Sequence, residues 1–177
     1  TSHQDDCGGI LTTAHRIRGR TMKHFNIAVI AGDGIGPEVI TEGKKVFSGI
    51  AQMDGGFSVS FEVFPWGCEY YLKTGEMMPE DGLDRLKDFD AVYLGAVGYP
   101  GVPDYISLGD LLLRIRRGFD EYINLRPVRL LKGAPCPLAN VSADDINMVV
   151  VRENSEGEYA NVGAHLYAGT DREMALQ

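Results

Sequence analysis

The chain has 177 residues, 44% of them apolar, and its 17 Lys and Arg against 25 Asp and Glu give a formal net charge of −8. That length fits one domain, or one domain and part of another, with enough apolar content for a sizeable core. The acidic balance argues against a nucleic-acid partner and an anionic membrane surface, and no apolar run approaches the roughly 20 residues of a membrane span.

Residues 1–24 show neither helical nor strand periodicity and lack an apolar signal region. They are expected to be a disordered extension or an added leader, with Met22 as the natural start. Phe25 to Ala31 (FNIAVIA) is a short run of β-formers and predicts a buried strand. GDGIGPE, from Gly32 to Glu38, then opens a helix. Pro37 suits the first helical turn, and Glu38 suits its positive end. Val39, Gly43, Val46, Phe47 and Ile50 are spaced to share one helical face. Gly32, Gly34 and Gly36 let the turn adopt unusual dihedrals and let a ligand approach the backbone. Their spacing is not GxGxxG, and such a turn is often only a tight connection.

Asp54-Gly55-Gly56 ends the helix, and Ser58 to Phe64 alternates as a half-buried strand. Residues 66–90 are mixed, with a short helix beginning in Pro79 to Lys87, and Tyr70, Tyr71, Met77 and Met78 are expected to fill the core. Ala91 to Leu94 is the next buried strand, followed by the Gly- and Pro-rich loop Gly95 to Asp104. Both glycine loops thus follow strands, where ligands bind in open α/β sheets. Leu108 to Tyr122 reads as a helix carrying Leu112 and Arg116 one turn apart. Val128 to Leu131 and Ile146 to Val151 are further strands, and the proline-rich Lys132 to Asn140 suggests a boundary between lobes.

An acidic chain that concentrates arginine at positions 114, 116, 117, 126 and 129 sets a local charge against its global sign. Arg116, Arg126 and Arg152 suggest three planar forks gathered for a small polycarboxylate, although arginines on a helix are most often a solvated face. Cys7, Cys68 and Cys136 are odd in number and widely spaced, with no metal-ligand pattern. A reducing, cytoplasmic setting is expected.

Four segments occur in a known order: GDGIGPEV (32–39), GAVGYP (95–100), LLLRIRRGFDEYINLRPVRL (111–130) and VVVRENSEGEY (149–159). Together they resemble the β-decarboxylating dehydrogenases, the isocitrate/isopropylmalate dehydrogenase family. CEYY (68–71), MMP (77–79), VPD (102–104) and RPVRLLKGAPCPLA (126–139) look most like its tartrate/D-malate dehydrogenase branch. The resemblance implies a two-lobed α/β/α sandwich, present here as an incomplete N-terminal portion. Residues 25–131 would belong to the first, cofactor-side lobe, and 132–177 would start the second, dimerisation-side lobe.

The activity so implied is oxidation of a 2-hydroxy dicarboxylate (tartrate or D-malate) by NAD with Mn²⁺ or Mg²⁺. D-malate would go on to pyruvate and CO₂, and the enzyme would be a homodimer. Hydride removal gives a 2-keto acid whose β-carboxylate can leave once a metal withdraws electrons at the carbonyl. By resemblance Arg116, Arg126 and Arg152 hold the carboxylates, Leu112 inspects the substrate's side group, and Tyr159 is the general acid. Gly32, Gly34, Ile35 and Gly36 line the cofactor, while the metal ligands are expected beyond Gln177. An apolar Leu112 disfavours isocitrate but accepts 3-isopropylmalate, so 3-isopropylmalate dehydrogenase is the alternative enzyme. A non-catalytic carboxylate-binding subunit is the alternative of another class. The branch usually has SLWG where this chain reads SLGD (107–110), so Gly109 removes a large surface and Asp110 adds a negative charge near the arginines.

Overall fold

The structure, a computed structural model, describes residues 22–160 and 162–176. The extension expected over residues 1–24 lies, up to residue 21, outside the described residues, and Lys23 and His24 already belong to the first strand. That strand, β1 (Lys23–Gly32), is buried on both faces from Ile27 to Ile30, as its unbroken apolar run requires. It is the centre of a parallel three-stranded sheet with β2 (Phe57–Phe64) and β3 (Ala91–Ala96), in the order β2-β1-β3. Ile27 pairs with Phe61 on one side and with Ala91 on the other.

Parallel neighbours need a crossover, and α1 (Gly36–Asp54) supplies the first. Pro37 and Glu38 lie in its first turn, and Gly55 ends it at φ +65°, donating its N–H to Ala51 O at 3.0 Å. Gly36, Ile40 and Ala51 are buried, Gly43 lies against the Tyr93 hydroxyl, and Phe47 stacks edgewise on Tyr93. Val39, Val46 and Ile50 are instead 51%, 60% and 51% exposed, so the expected face is correct only at Gly43 and Phe47. Close approach at Gly36 and Gly43 rotates the helix so that its small residues, rather than its valines, meet the sheet.

The other sheet face carries the larger core. Ala28 and Ile30 pack there with Phe64, Trp66, Met77, Met78, Leu86, Leu111 and Ile115. Each large side chain buried there contributes about 1.5–3 kcal/mol. Met77 and Met78 are core residues, as expected, with Tyr70 and Tyr71 partly buried against them. This layer consists of α2 (Cys68–Thr74), α3 (Gly82–Leu86) and a continuous helical run. The run comprises α4 (Asp104–Ser107), a π-helical stretch (Leu108–Leu113) and α5 (Arg114–Gly118). The helix expected over Leu108 to Tyr122 therefore begins at Asp104 and stops at Gly118. Asp120 turns the chain at φ +53°, and Glu121 N–H closes the end on Arg116 O at 2.8 Å.

β4 (Ile123–Arg129) and β5 (Asn147–Glu153) form an antiparallel ribbon. The strand expected at Val128 to Leu131 thus starts at Ile123, directly after the Asp120 turn. A short hairpin, β6 (Ala164–Leu166) with β7 (Met174–Leu176), follows. Leu125, Val149 and Val151 on the ribbon are 64%, 56% and 65% exposed. No helix among the described residues is long and apolar enough to cross a membrane.

Candidate active site

The chain leaves β1 toward β2 on one side and reaches β3 on the other. Adjacent strands whose connections diverge leave a crevice at their carboxyl ends. Here the Gly32–Gly36 turn and the loop after Ala96 bound it. At Gly32, φ +71°, a Cβ would strike Ala96 O, and at Gly36 and Gly95 it would strike Ala31 O. The bare backbone at these three positions is therefore required by packing between β1 and β3. Gly34, at φ +56°, has open space where a Cβ would point, and Ile35 is 64% exposed. Of the four residues expected to line a cofactor, Gly34 and Ile35 are the two that face outward.

Between the glycines lies Asp33, 3% exposed. Its carboxylate accepts N–H groups from Cys68 (2.9 and 3.1 Å to its two oxygens), Glu69 (3.3 Å) and Gly98 (3.1 Å). One side chain thus ties the β1–α1 turn to the start of α2 and to the loop after β3. Burial, then the hydrogen bond to Asp33 and its negative charge, push the Cys68 thiol up to about 12. That thiol therefore stays protonated and unreactive. Iodoacetamide at pH 8 is expected to modify the partly exposed Cys136 and leave Cys68 intact, which peptide mass spectrometry checks.

The second cluster forms where α5 meets the ribbon. Arg116 lies on α5, Arg126 on β4 and Arg152 on β5. Asn124 is directly opposite Arg152 in the ribbon, so Arg126, two residues on, shares that face as a diagonal neighbour. Arg126 Nε donates to Asn124 Oδ1 at 2.9 Å. The Arg152 guanidinium stacks 4.4 Å from the ring centroid of Tyr159, on the short 3₁₀ helix Gly157–Tyr159. Arg116 donates from Nη1 to Asn154 Oδ1 at 3.2 Å. Burial first, then the positive charge of Arg152, lowers the Arg116 guanidinium below its ordinary value; Glu121 opposes this and Arg126 adds to it. Arg116 nonetheless stays charged, as guanidinium groups do in proteins. None of the three arginines forms a salt bridge among the described residues. They remain available to an external anion.

Leu112 is half-buried in the π-helical stretch, one turn before Arg116. Such widened turns recur at functional sites. Asp110 lines a cleft with Glu76, Glu80 and Arg114, and nothing lies within 4 Å of where a Cβ on Gly109 would point. At the end of β5, the Glu153 carboxylate accepts the Ser155 hydroxyl (2.7 Å) and the N–H groups of Ser155 (2.7 Å) and Glu156 (2.9 Å). These bonds, the Ser155 hydroxyl foremost, hold Glu153 down to about 2. Its stabilising ionised form is therefore lost only as pH falls through that value. Among the described residues no group of three or more His, Cys, Asp or Glu side chains is placed to hold a metal ion. Asp33, Ser107 and Asn154 are the buried polar residues among the described ones, and local sequence patterns assigned a role to none of them.

A parallel sheet covered on both faces, with glycine loops at its carboxyl edge and an arginine cluster beside it, defines an α/β fold of the isocitrate dehydrogenase type. The profile of the isocitrate/isopropylmalate dehydrogenase family matches residues 26–176. The chain belongs to that family. It is 52% identical over 158 residues to D-malate dehydrogenase [decarboxylating] of Escherichia coli, covering 88% of this chain and 44% of that protein. It is 50% identical over 155 residues to tartrate dehydrogenase/decarboxylase of Pseudomonas putida, covering 86% and 42%. The isocitrate dehydrogenase of Methylococcus capsulatus superposes with a TM-score of 0.65 at 26% identity, covering 86% of this chain and 41% of that one. The chain thus spans less than half the length of the relatives it matches.

Proposed function

We propose that this chain is the N-terminal portion of a homodimeric, cytoplasmic dehydrogenase that oxidises and decarboxylates a small 2-hydroxy dicarboxylate, tartrate or D-malate, with NAD as hydride acceptor. The observation that carries the reading is the gathering of Arg116, Arg126 and Arg152 beside Tyr159, with no salt-bridge partner among the described residues. The similarity to enzymes named for D-malate and tartrate supports the substrate class.

Three guanidinium forks bind two carboxylates in defined orientation, which turns a bimolecular encounter into a positioned one. Leu112 presents an apolar side chain one turn from Arg116 and leaves a third carboxylate without a partner. The Tyr159 phenol lies under the Arg152 guanidinium and is the group assigned to return a proton to the enolate carbon. The open backbone at Gly34 and the exposed Ile35 fit a flat cofactor in the β1/β3 crevice. Bound NAD supplies the hydride acceptor there. Mn²⁺ or Mg²⁺ would supply the Lewis acid that draws electrons from the new carbonyl, held by ligands from the remainder of the full-length protein.

The test is NAD reduction by the protein encoded by the complete reading frame, supplied with Mn²⁺, on D-malate, tartrate, 3-isopropylmalate and isocitrate. Turnover of D-malate or tartrate well above the other two is expected. A preference for 3-isopropylmalate would overturn the substrate assignment, and no turnover of any would overturn the enzymatic reading.

A further inference from the structure

Asn154, directly after β5, is 2% exposed, although Val149, Val150 and Val151 on that strand are all exposed. Its amide makes two bonds of opposite sense. Oδ1 accepts from Arg116 Nη1 at 3.2 Å, and Nδ2 donates to Glu121 O at 3.1 Å. A guanidinium only donates and a carbonyl only accepts, so the partners themselves fix which way the amide points. The same two bonds join the end of α5 and its following turn to the end of β5. They fix the junction on which the arginine cluster depends.

We propose that Asn154 is a positioning residue for substrate recognition, whose neutral amide orients Arg116 within the arginine cluster without cancelling the cluster's charge. The inference rests on the functional reading above. The residue type follows from the requirements at the site. A leucine would remove both the acceptor for Arg116 Nη1 and the donor to Glu121 O, and with them the bonds that orient the guanidinium. An aspartate would keep the bond to Arg116. It would also repel the Glu121 carbonyl and place a fixed negative charge beside three groups that must receive a carboxylate. An amide supplies an acceptor to Arg116 and leaves the positive field of Arg116, Arg126 and Arg152 intact for the ligand.

This separates positioning from a merely structural tie. A tie needs both hydrogen bonds, and N154D keeps only the one to Arg116, so a merely structural role predicts a lower melting temperature with a loss spread evenly over NAD, dicarboxylate and kcat. Positioning with neutrality predicts that N154D raises the dicarboxylate KM about 10- to 100-fold, as expected when a hydrogen bond to a charged group is lost to a competitor. The KM for NAD and kcat should change far less. N154S keeps a small neutral donor and acceptor and should recover most of the affinity.

The experiment uses the complete protein with D-malate and tartrate, measuring steady-state kinetics, calorimetric binding of each dicarboxylate and the melting temperature of every variant. A selective rise in dicarboxylate KM and Kd for N154D, with recovery in N154S, supports the proposal. An unchanged dicarboxylate KM in N154D overturns it. So does a loss spread equally over NAD, dicarboxylate and kcat in step with melting temperature. Wild-type protein that neither binds nor oxidises either compound overturns the functional reading and this inference with it. Wild-type activity with an indifferent N154D overturns the inference alone.

Discussion

Replacing Arg126 by methionine in the complete protein is expected to lower kcat/KM for D-malate or tartrate about 100- to 1,000-fold while leaving the fold intact. The side chain is exposed, and its Nε bonds only to its own strand neighbour Asn124 among the described residues. The pairing of Arg126 with Val150 runs through the backbone and is kept in the substitution. Removing an exposed side chain of this kind changes stability by about 0.5 kcal/mol or less. Its loss from a bidentate pair with a carboxylate removes two charge-assisted bonds, each worth roughly 1.5–3 kcal/mol. Lysine at the same position should recover only part of the activity, because a point charge does not reproduce the planar fork. Steady-state kinetics beside a thermal melt decides the matter. Full activity in the methionine variant would mean that the cluster does not hold the substrate.

Asp33→Ala is expected to have the largest effect on stability, a loss of about 3–5 kcal/mol. The substitution strands three backbone N–H groups, those of Cys68, Glu69 and Gly98, that now share one buried carboxylate. Breaking a buried charged contact by removing one partner is destabilising on this scale. Asp33→Asn retains a side-chain oxygen and should lose less. Chemical denaturation of the complete protein measures both. The Cys68 thiol gives an independent readout, because the hydrogen bond and charge of Asp33 help to keep it protonated. Its labelling should become faster in the alanine variant. An unfolding midpoint that barely moves would show that the three loops are held by their packing alone.

The central strand, the glycine turn and α1 were legible because each has a local cause: an apolar run, residues free to adopt φ > 0, and a proline in the first helical turn. What escaped is held from far along the chain. The helix α2 was not evident in residues 66–90, because its first N–H groups are satisfied by Asp33, some 35 residues earlier, rather than by a neighbouring cap. The exposed valines of α1 misled because helical spacing reports which residues share a face, not which face meets the sheet. Gly36 and Gly43 settle that through contact with Ala31 and Tyr93. The end of the second long helix was overrun because Asp120 takes a left-handed conformation that nothing in FDEYI announces. The arginines were picked out by family resemblance. Their coming together depends on ribbon register and on Asn154, neither of which spacing reveals.

Neither buried core of the described residues contains a residue of β4 or β5. In this chain the ribbon that carries two of the three arginines therefore relies on its own strand pairing, with Leu125, Val149 and Val151 left exposed. Amide hydrogen exchange is expected to register this: residues 123–129 and 147–153 should exchange faster in the 177-residue chain than in the full-length protein, while Ile27 to Ile30 change little.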